Sequence, residues 1–381
     1  MERTTAHSWA SRELFRFART FAAVAAMTGA LAFTAGSAAA QAPSRGLRQF
    51  NRKGDILIAD QYNNRVIEID AQGNIIWQFG RGPNDFSPAS IVGCNDAQRV
   101  GRLTLMAGTG IPANTVPNCT NANGCPDNRV MLVNPQGHVV WQYGQFGVTG
   151  SGPNQLNTPV QSTWLPNRDV LIADQGNQRV IEVDHNKSIV WQYGTTGTSG
   201  SGPNQLSSPN SAELLENGNI LIADENNNRA IEVKRNGDIV ATFTAGGTVS
   251  GVAFASRLPN GNTLLTDSNN SRIVEVDPSD SVAWQYLTNT DPNSNASPLP
   301  TRAIRLRNGN TIISDQFNHR VIIVDHAANA SIVASFGNLN QPGYGTMSTT
   351  QGLFGPYDAK VIGDFTGLTP PFDHDHDLDD P

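Results

Sequence analysis

Apolar and polar positions alternate in one block that returns along the chain. Its fullest copy, residues 209–233, runs Pro-Asn-Ser-Ala-Glu-Leu-Leu, Glu-Asn-Gly-Asn, Ile-Leu-Ile-Ala-Asp, Glu-Asn-Asn-Asn-Arg and Ala-Ile-Glu-Val. The apolar runs have strand length, and the Asn-Gly pairs that separate them are hairpin signals. The block predicts an inner strand over 208–215, a second over 220–223, a third over 230–233 and, after Asn236-Gly237, an outer strand over 239–243. The second strand is apolar on both faces, as a sheet sandwiched between two others requires. No stretch beyond the N-terminal segment has helical periodicity.

Copies of the second half begin at Ile56, Val170, Thr263 and Thr311, and a sixth, from Asp127, has lost the front of the motif. The arginine of each copy falls at Arg65, Arg129, Arg179, Arg229, Arg272 and Arg320, a spacing of 43–50 residues apart from one 64-residue gap. A unit of just under 50 residues suits one four-stranded propeller blade. The expectation is an all-β, six-bladed β-propeller of four-stranded antiparallel blades over 41–366, with seven blades the alternative if the two terminal strands belong to separate blades. Gly355-Pro-Tyr-Asp-Ala-Lys-Val-Ile362 repeats the inner-strand pattern Pro-x-x-Ala, so 356–362 is expected to dock into the first blade, where 45–50 supplies only a weak inner strand. Glycine-rich connectors at 80–88, 150–159 and 200–209 carry the chain from blade to blade; no Lys-Ser/Thr or helix follows them, so they are not phosphate loops. The 64-residue gap coincides with a cysteine-bearing insertion, 94–126.

Composition changes the picture at the termini. Arg3, Arg12, Arg16 and Arg19 precede the apolar run 21–33 and the small residues 36–40, the pattern of a signal peptide over 1–40 with cleavage near Ala40/Gln41. The protein is expected to be secreted or periplasmic and monomeric, with no transmembrane segment in the mature chain. Removing four Arg and two Glu takes the net charge from −7 to −9, and an acidic chain has no electrostatic footprint for nucleic acid. Cys94, Cys119 and Cys125 lie in one segment; export permits a disulfide, Cys119–Cys125 or Cys94 with either, as a local staple. The tail 367–381, with Asp373-His-Asp-His-Asp, reads as a solvated acidic end.

The connector Gly-Ser-Gly-Pro-Asn-Gln-Leu, the Ile-Leu-Ile-Ala-Asp strand and the turn Asp-x-x-Asn-x-Arg make the repeat resemble the NHL family of six-bladed propellers over nearly all of 45–362. The Pro-x-x-Ala, Asn-Gly-Asn and Trp-Gln-Tyr elements are also similar to aryl-sulfate sulfotransferase and quinoprotein-like propeller repeats. Those sulfotransferases present histidines to the channel, and this chain has none on an inner strand.

Residues that recur from blade to blade are expected to serve the blade: Asp60, Asp174, Asp224, Asp267 and Asp315; Asn63, Asn177, Asn227, Asn270 and Asn318, which could take φ > 0; the arginines; and the packing tryptophans Trp77, Trp141, Trp191 and Trp284. Function is sought where blades differ, at the channel. Two places beyond the inner-strand proline stand Ser90, Gln161, Ser211, Phe254, Arg302 and Asp358; one place beyond it, Asn210 and Tyr357; four beyond it, Glu213 and Lys360. Such a ring suits a polar ligand, or Ca²⁺ or another divalent cation on Glu213 and Asp358. No histidine has a triad partner, and the loop 291–297 lacks the glycine and closing glutamate of a calcium loop. Two readings follow: a binding or scaffold module for a protein or glycan partner, or a lyase or hydrolase with a channel-bound cation. Catalytic residues are not assigned.

Overall fold

A computed structural model describes residues 50–344 and 352–364. The expected signal peptide, the tail, Arg45–Arg48 and the segment 345–351 lie outside the described residues. Among the described residues the chain forms six four-stranded antiparallel sheets. Blade 1 joins β24 (Pro356–Val361) to β1 (Ile56–Asp60), β2 (Arg65–Ile69) and β3 (Ile75–Phe79), and blade 2 holds β4 (Cys94–Val100), β5 (Leu103–Ile111), β6 (Cys125–Val133) and β7 (Val139–Gly144). Blade 3 is β8 (Pro159–Trp164), β9 (Val170–Asp174), β10 (Arg179–Val183) and β11 (Ile189–Tyr193); blade 4 is β12 (Pro209–Leu214), β13 (Ile220–Asp224), β14 (Arg229–Val233) and β15 (Ile239–Phe243). Blade 5 is β16 (Val252–Arg257), β17 (Thr263–Asp267), β18 (Arg272–Val276) and β19 (Val282–Leu287); blade 6 is β20 (Arg302–Arg305), β21 (Thr311–Asp315), β22 (Arg320–Val324) and β23 (Ile332–Gly337). Six blades, not seven, is the count.

The first strand of each blade packs on its counterpart in both neighbours, so these strands form the inner ring, and each outer strand leaves an open edge. The terminal strand β24 pairs antiparallel with β1, Ile58 opposite Ala359, which closes the ring as the Pro-x-x-Ala pattern implied. Each second strand is buried on both faces because apolar side chains of two neighbouring blades meet across it.

The Asp-x-x-Asn-x-Arg turn is a clamp. In blade 3, Asp174 Oδ2 accepts Arg179 Nε at 2.8 Å and Asn177 Nδ2 at 2.8 Å, while Oδ1 accepts the Asn157 N–H at 2.8 Å and Asn177 also donates to Gly150 O. One carboxylate thus fixes the turn and the arriving connector together. Blades 4 and 5 repeat it through Asp224 and Asp267. The expected positive φ falls one place later than the motif asparagine. Asn64, Gln178, Asn228, Ser271 and His319 are the left-handed residues, since the asparagine needs its amide for the clamp.

Blade 2 corrects the supposed insertion 94–126. Its first part forms β4 and β5, buried almost throughout; only 112–124 is an extended loop, stapled by Cys119–Cys125 (Cα–Cα 5.8 Å), with Cys94 a free buried thiol. The missing front of the motif has moved. Gly108 stands opposite Arg129, where other blades carry aspartate, and the carboxylate comes instead from Asp127, with Oδ1 2.5 Å from Arg129 Nε and Oδ2 2.7 Å from Val92 N. A Cβ on Gly108 would lie 2.5 Å from Asp127 Cγ, so only glycine leaves room for the transposed group.

The outer-strand tryptophans hold neighbours. The indoles of Trp77, Trp141, Trp191 and Trp284 donate to Pro135 O, His185 O, Arg235 O and Ala327 O, each on the following blade, at 2.9–3.2 Å. They are packing and clasp residues.

Candidate functional site

The inner strands bring the divergent residues to one axis. Aligned by register, the position paired with the alanine or its equivalent of the second strand is Asp96, Gln161, Ser211, Phe254, Arg302 and Asp358. Ser90 does not belong to this ring; its place is taken by Asp96, because Cys94 substitutes for the proline. The signal is present in the sequence, as Cys94-Asn-Asp-Ala97 keeps the alanine of Pro-x-x-Ala.

Most of these side chains lace one blade to the next. Asp358 Oδ2 accepts the Ala97 N–H at 3.1 Å, Asp96 Oδ2 that of Ser162 at 3.2 Å, Gln161 Oε1 that of Ala212 at 2.5 Å and Ser211 Oγ that of Ala255 at 3.2 Å. Two places further on, Gln98 and Glu213 accept the Trp164 and Arg257 N–H groups. Different side chains therefore fill one role, an acceptor for the neighbouring inner strand, and the variation itself is largely architectural.

Four charges meet on the axis. Lys360 Nζ binds Asp96 at 2.8 Å, Ala97 O at 2.8 Å and Asp358, while Arg302 lies 3.3 Å from Asp96 and 3.2 Å from Asp358 and stacks over Phe254 at 4.4 Å. Two carboxylates face two cations, so the cluster is neutral. Desolvation pushes the Asp358 carboxyl up, but Lys360 and Arg302 outweigh it and hold it below the usual carboxylate range. For Asp96 desolvation wins over Lys360 and its carboxyl is raised. Glu213, fully enclosed, is pushed well up by desolvation, against weak help from Arg257.

Beneath this layer is a cavity of about 10 Å³, room for one water molecule, bounded by Gln98, Gln161, Thr163, Glu213, Phe254 and Lys360. Above it the axis is bridged: Asn210 Nδ2 lies 2.9 Å from Tyr357 OH, joining opposite blades 4 and 1. Desolvation raises the Tyr357 hydroxyl, which stays protonated.

Beside Glu213 and Asp358, the pair expected to hold a divalent cation, stands the ammonium of Lys360. Lys360 binds Asp358 directly and shares the cavity with Glu213, and among the described residues no group of three or more His, Cys, Asp or Glu could hold a metal. His319 is buried, and its Nδ1 accepts the Gly355 N–H at 3.2 Å where the ring closes.

Fold and axis together define a closed-channel six-bladed propeller. The chain is similar to a protein of unknown function from Bacteroides caccae (TM-score 0.52, 14% identity, 78% of this chain and 97% of that chain covered). It is also similar to a streptogramin B lyase structure (TM-score 0.51, 11% identity, 83% and 87% covered) and to virginiamycin B lyase from Staphylococcus aureus (TM-score 0.49, 14% identity, 74% and 81% covered). At such identities the first two likenesses show the fold alone. No protein-family model and no curated protein sequence matches the chain.

Proposed function

We propose that this chain is an exported, NHL-like propeller that binds a protein or glycan partner as a monomer, using a face of the ring rather than the channel interior. The observation that supports this is the filled axis: the Asn210–Tyr357 bridge, the neutral cluster of Asp96, Arg302, Asp358 and Lys360, and a cavity no larger than one water. A substrate pocket is typically hundreds of Å³, so a channel enzyme would need this packing undone. Among the described residues no helix is long and apolar enough to cross a membrane. The face that carries the connectors, the Asp-x-x-Asn-x-Arg turns and the stapled loop 112–124 is the one this reading assigns to the partner.

The test is elemental analysis of dialysed protein together with melting curves with and without chelator. The binding reading expects no stoichiometric divalent metal and an unchanged melt. A bound metal whose removal lowers the melt would overturn it in favour of a cation-dependent lyase or hydrolase. Sequencing the N-terminus of exported protein, expected at Gln41, tests the export part.

A further inference from the structure

Carboxylates inside this propeller usually carry a cation: Glu68 has Arg99, Glu182 has Arg235, Glu232 has Arg257, Glu275 has Arg305, and each turn aspartate has its arginine. Glu225 departs from this. It opens the one-turn 3-10 helix Glu225–Asn227 between β13 and β14, on the connector face beside the axis, and no Lys, Arg or His among the described residues pairs with it. Its Oε2 accepts Asn210 Nδ2 at 2.8 Å and Gln175 Nε2 at 3.2 Å, both neutral donors. Part of its surface meets solvent while protein encloses the rest, and desolvation raises its carboxyl, with the Asn210 bond opposing.

The surroundings are set for a positive guest. The corresponding turn positions of other blades are Gln61, Gln175, Ser268 and Gln316, and a chain of amides runs from Gln316 Nε2 to Gln61 Oε1 and from Gln61 Nε2 to Asn95 Oδ1 at 2.8 Å each. The floor is the Asn210–Tyr357 bridge. The mouth is thus one unpaired carboxylate within a rim of carboxamides and a hydroxyl. A divalent ion would want several charged oxygens, and only one is here. A guanidinium gains most from a bidentate carboxylate, but Oε2 is already committed to two amides. A primary ammonium is a point charge with three donors, which one carboxylate oxygen and neighbouring amide oxygens can satisfy.

We propose that the axial mouth around Glu225 recognises a primary ammonium group, either a lysine side chain of a protein partner or a free amine. The proposal rests on the binding reading above and supplies the chemistry of its partner. The probes are butylammonium, N-acetyl-lysine amide, butylguanidinium and N-acetyl-norleucine amide, titrated calorimetrically into the mature chain and into its Glu225→Gln variant. Saturable ammonium binding that weakens about tenfold or more in Glu225→Gln supports the proposal, as does affinity that falls when acid protonates Glu225 in the wild-type chain. Tighter binding of N-acetyl-lysine amide than of butylammonium identifies a peptide source, and the reverse a free amine. Equal binding of the lysine and norleucine probes, preference for guanidinium, displacement by Ca²⁺, or no binding by any ammonium overturns it. The binding reading is judged apart, by metal content and the chelated melt, and can survive that failure.

Discussion

One imidazole contributes a bond to ring closure in this propeller, beside the β24–β1 pairing, and acid should weaken that contribution. At four other junctions the residue before the motif arginine accepts an N–H from the start of the next inner strand. Asn64 takes Gly93, Asn128 takes Thr158, Gln178 takes Ser208 and Asn228 takes Gly251, at 2.7–2.9 Å. At the closing junction the acceptor is His319 Nδ1, edge-on to Phe354, with Gly355 as donor. Protonation would destroy that acceptor and place a charge in an apolar site. Desolvation alone lowers the His319 pKa from 6.5 to about 4, and no charged group of the packed elements contributes. Because the folded value is depressed, the unfolded chain binds the extra proton first. The stabilisation is complete above pH 6.5 and is lost as pH falls towards 4. At ~1.4 kcal/mol per pKa unit the window is worth up to about 3 kcal/mol. The assay is a set of urea melts of wild type and His319→Asn between pH 7 and 4, in which every Asp and Glu is common to both proteins. Asparagine is the residue three other junctions use, so the variant should fold and lose this part of the pH slope. Identical slopes in the two proteins would show that His319 carries no part of the acid sensitivity.

Three further outcomes follow from the packing. Lys360→Met should cost about 3–5 kcal/mol in chemical denaturation, since it leaves Asp96 and Asp358 buried with Arg302 alone; a neutral effect would show that the cluster is not held as described. Gly108→Ala should lower the melt markedly because its Cβ meets Asp127 Cγ at 2.5 Å, and the same substitution should cost less in an Asp127→Ala background, measured against Asp127→Ala alone, if the clash is the cause. Cys119→Ser/Cys125→Ser should cost about 2 kcal/mol or less, because the bridge closes a loop of only a few residues; a global loss of fold would contradict a local staple.

The architecture is legible in the chain because it repeats. Strands, hairpin turns and the closing strand all follow from apolar runs, Asn-Gly pairs and Pro-x-x-Ala, which act locally. Blade 2 escapes that pattern for a physical reason. Cys94 replaces the proline, and the aspartate of the turn has crossed from the second strand to the third, so the local signature vanishes although the clamp survives. Most of the charge cluster is visible: Arg302, Asp358 and Lys360 stand out by alignment, while Asp96 is signalled only by the retained alanine of Cys94-Asn-Asp-Ala97, and nothing along the chain says that residues 96 and 360 touch.

The channel shows why divergence between repeats is a weak guide to function. Asp358, Asp96, Gln161 and Ser211 differ in charge and size, yet each offers an oxygen to the inner strand of the next blade. Phe254 and Arg302 have no acceptor to offer, so the junctions on either side of blade 6 need another bond. The stacking of Arg302 on Phe254 and its charges on Asp96 and Asp358 fill that role. Blade differences at the axis thus balance a ring of backbone donors and a neutral charge sum. Glu225 stands outside both requirements. It accepts side-chain amides rather than a backbone N–H of a neighbouring blade, and it neutralises no cation. Among the described axial acids it is the one with neither a paired cation nor a backbone donor.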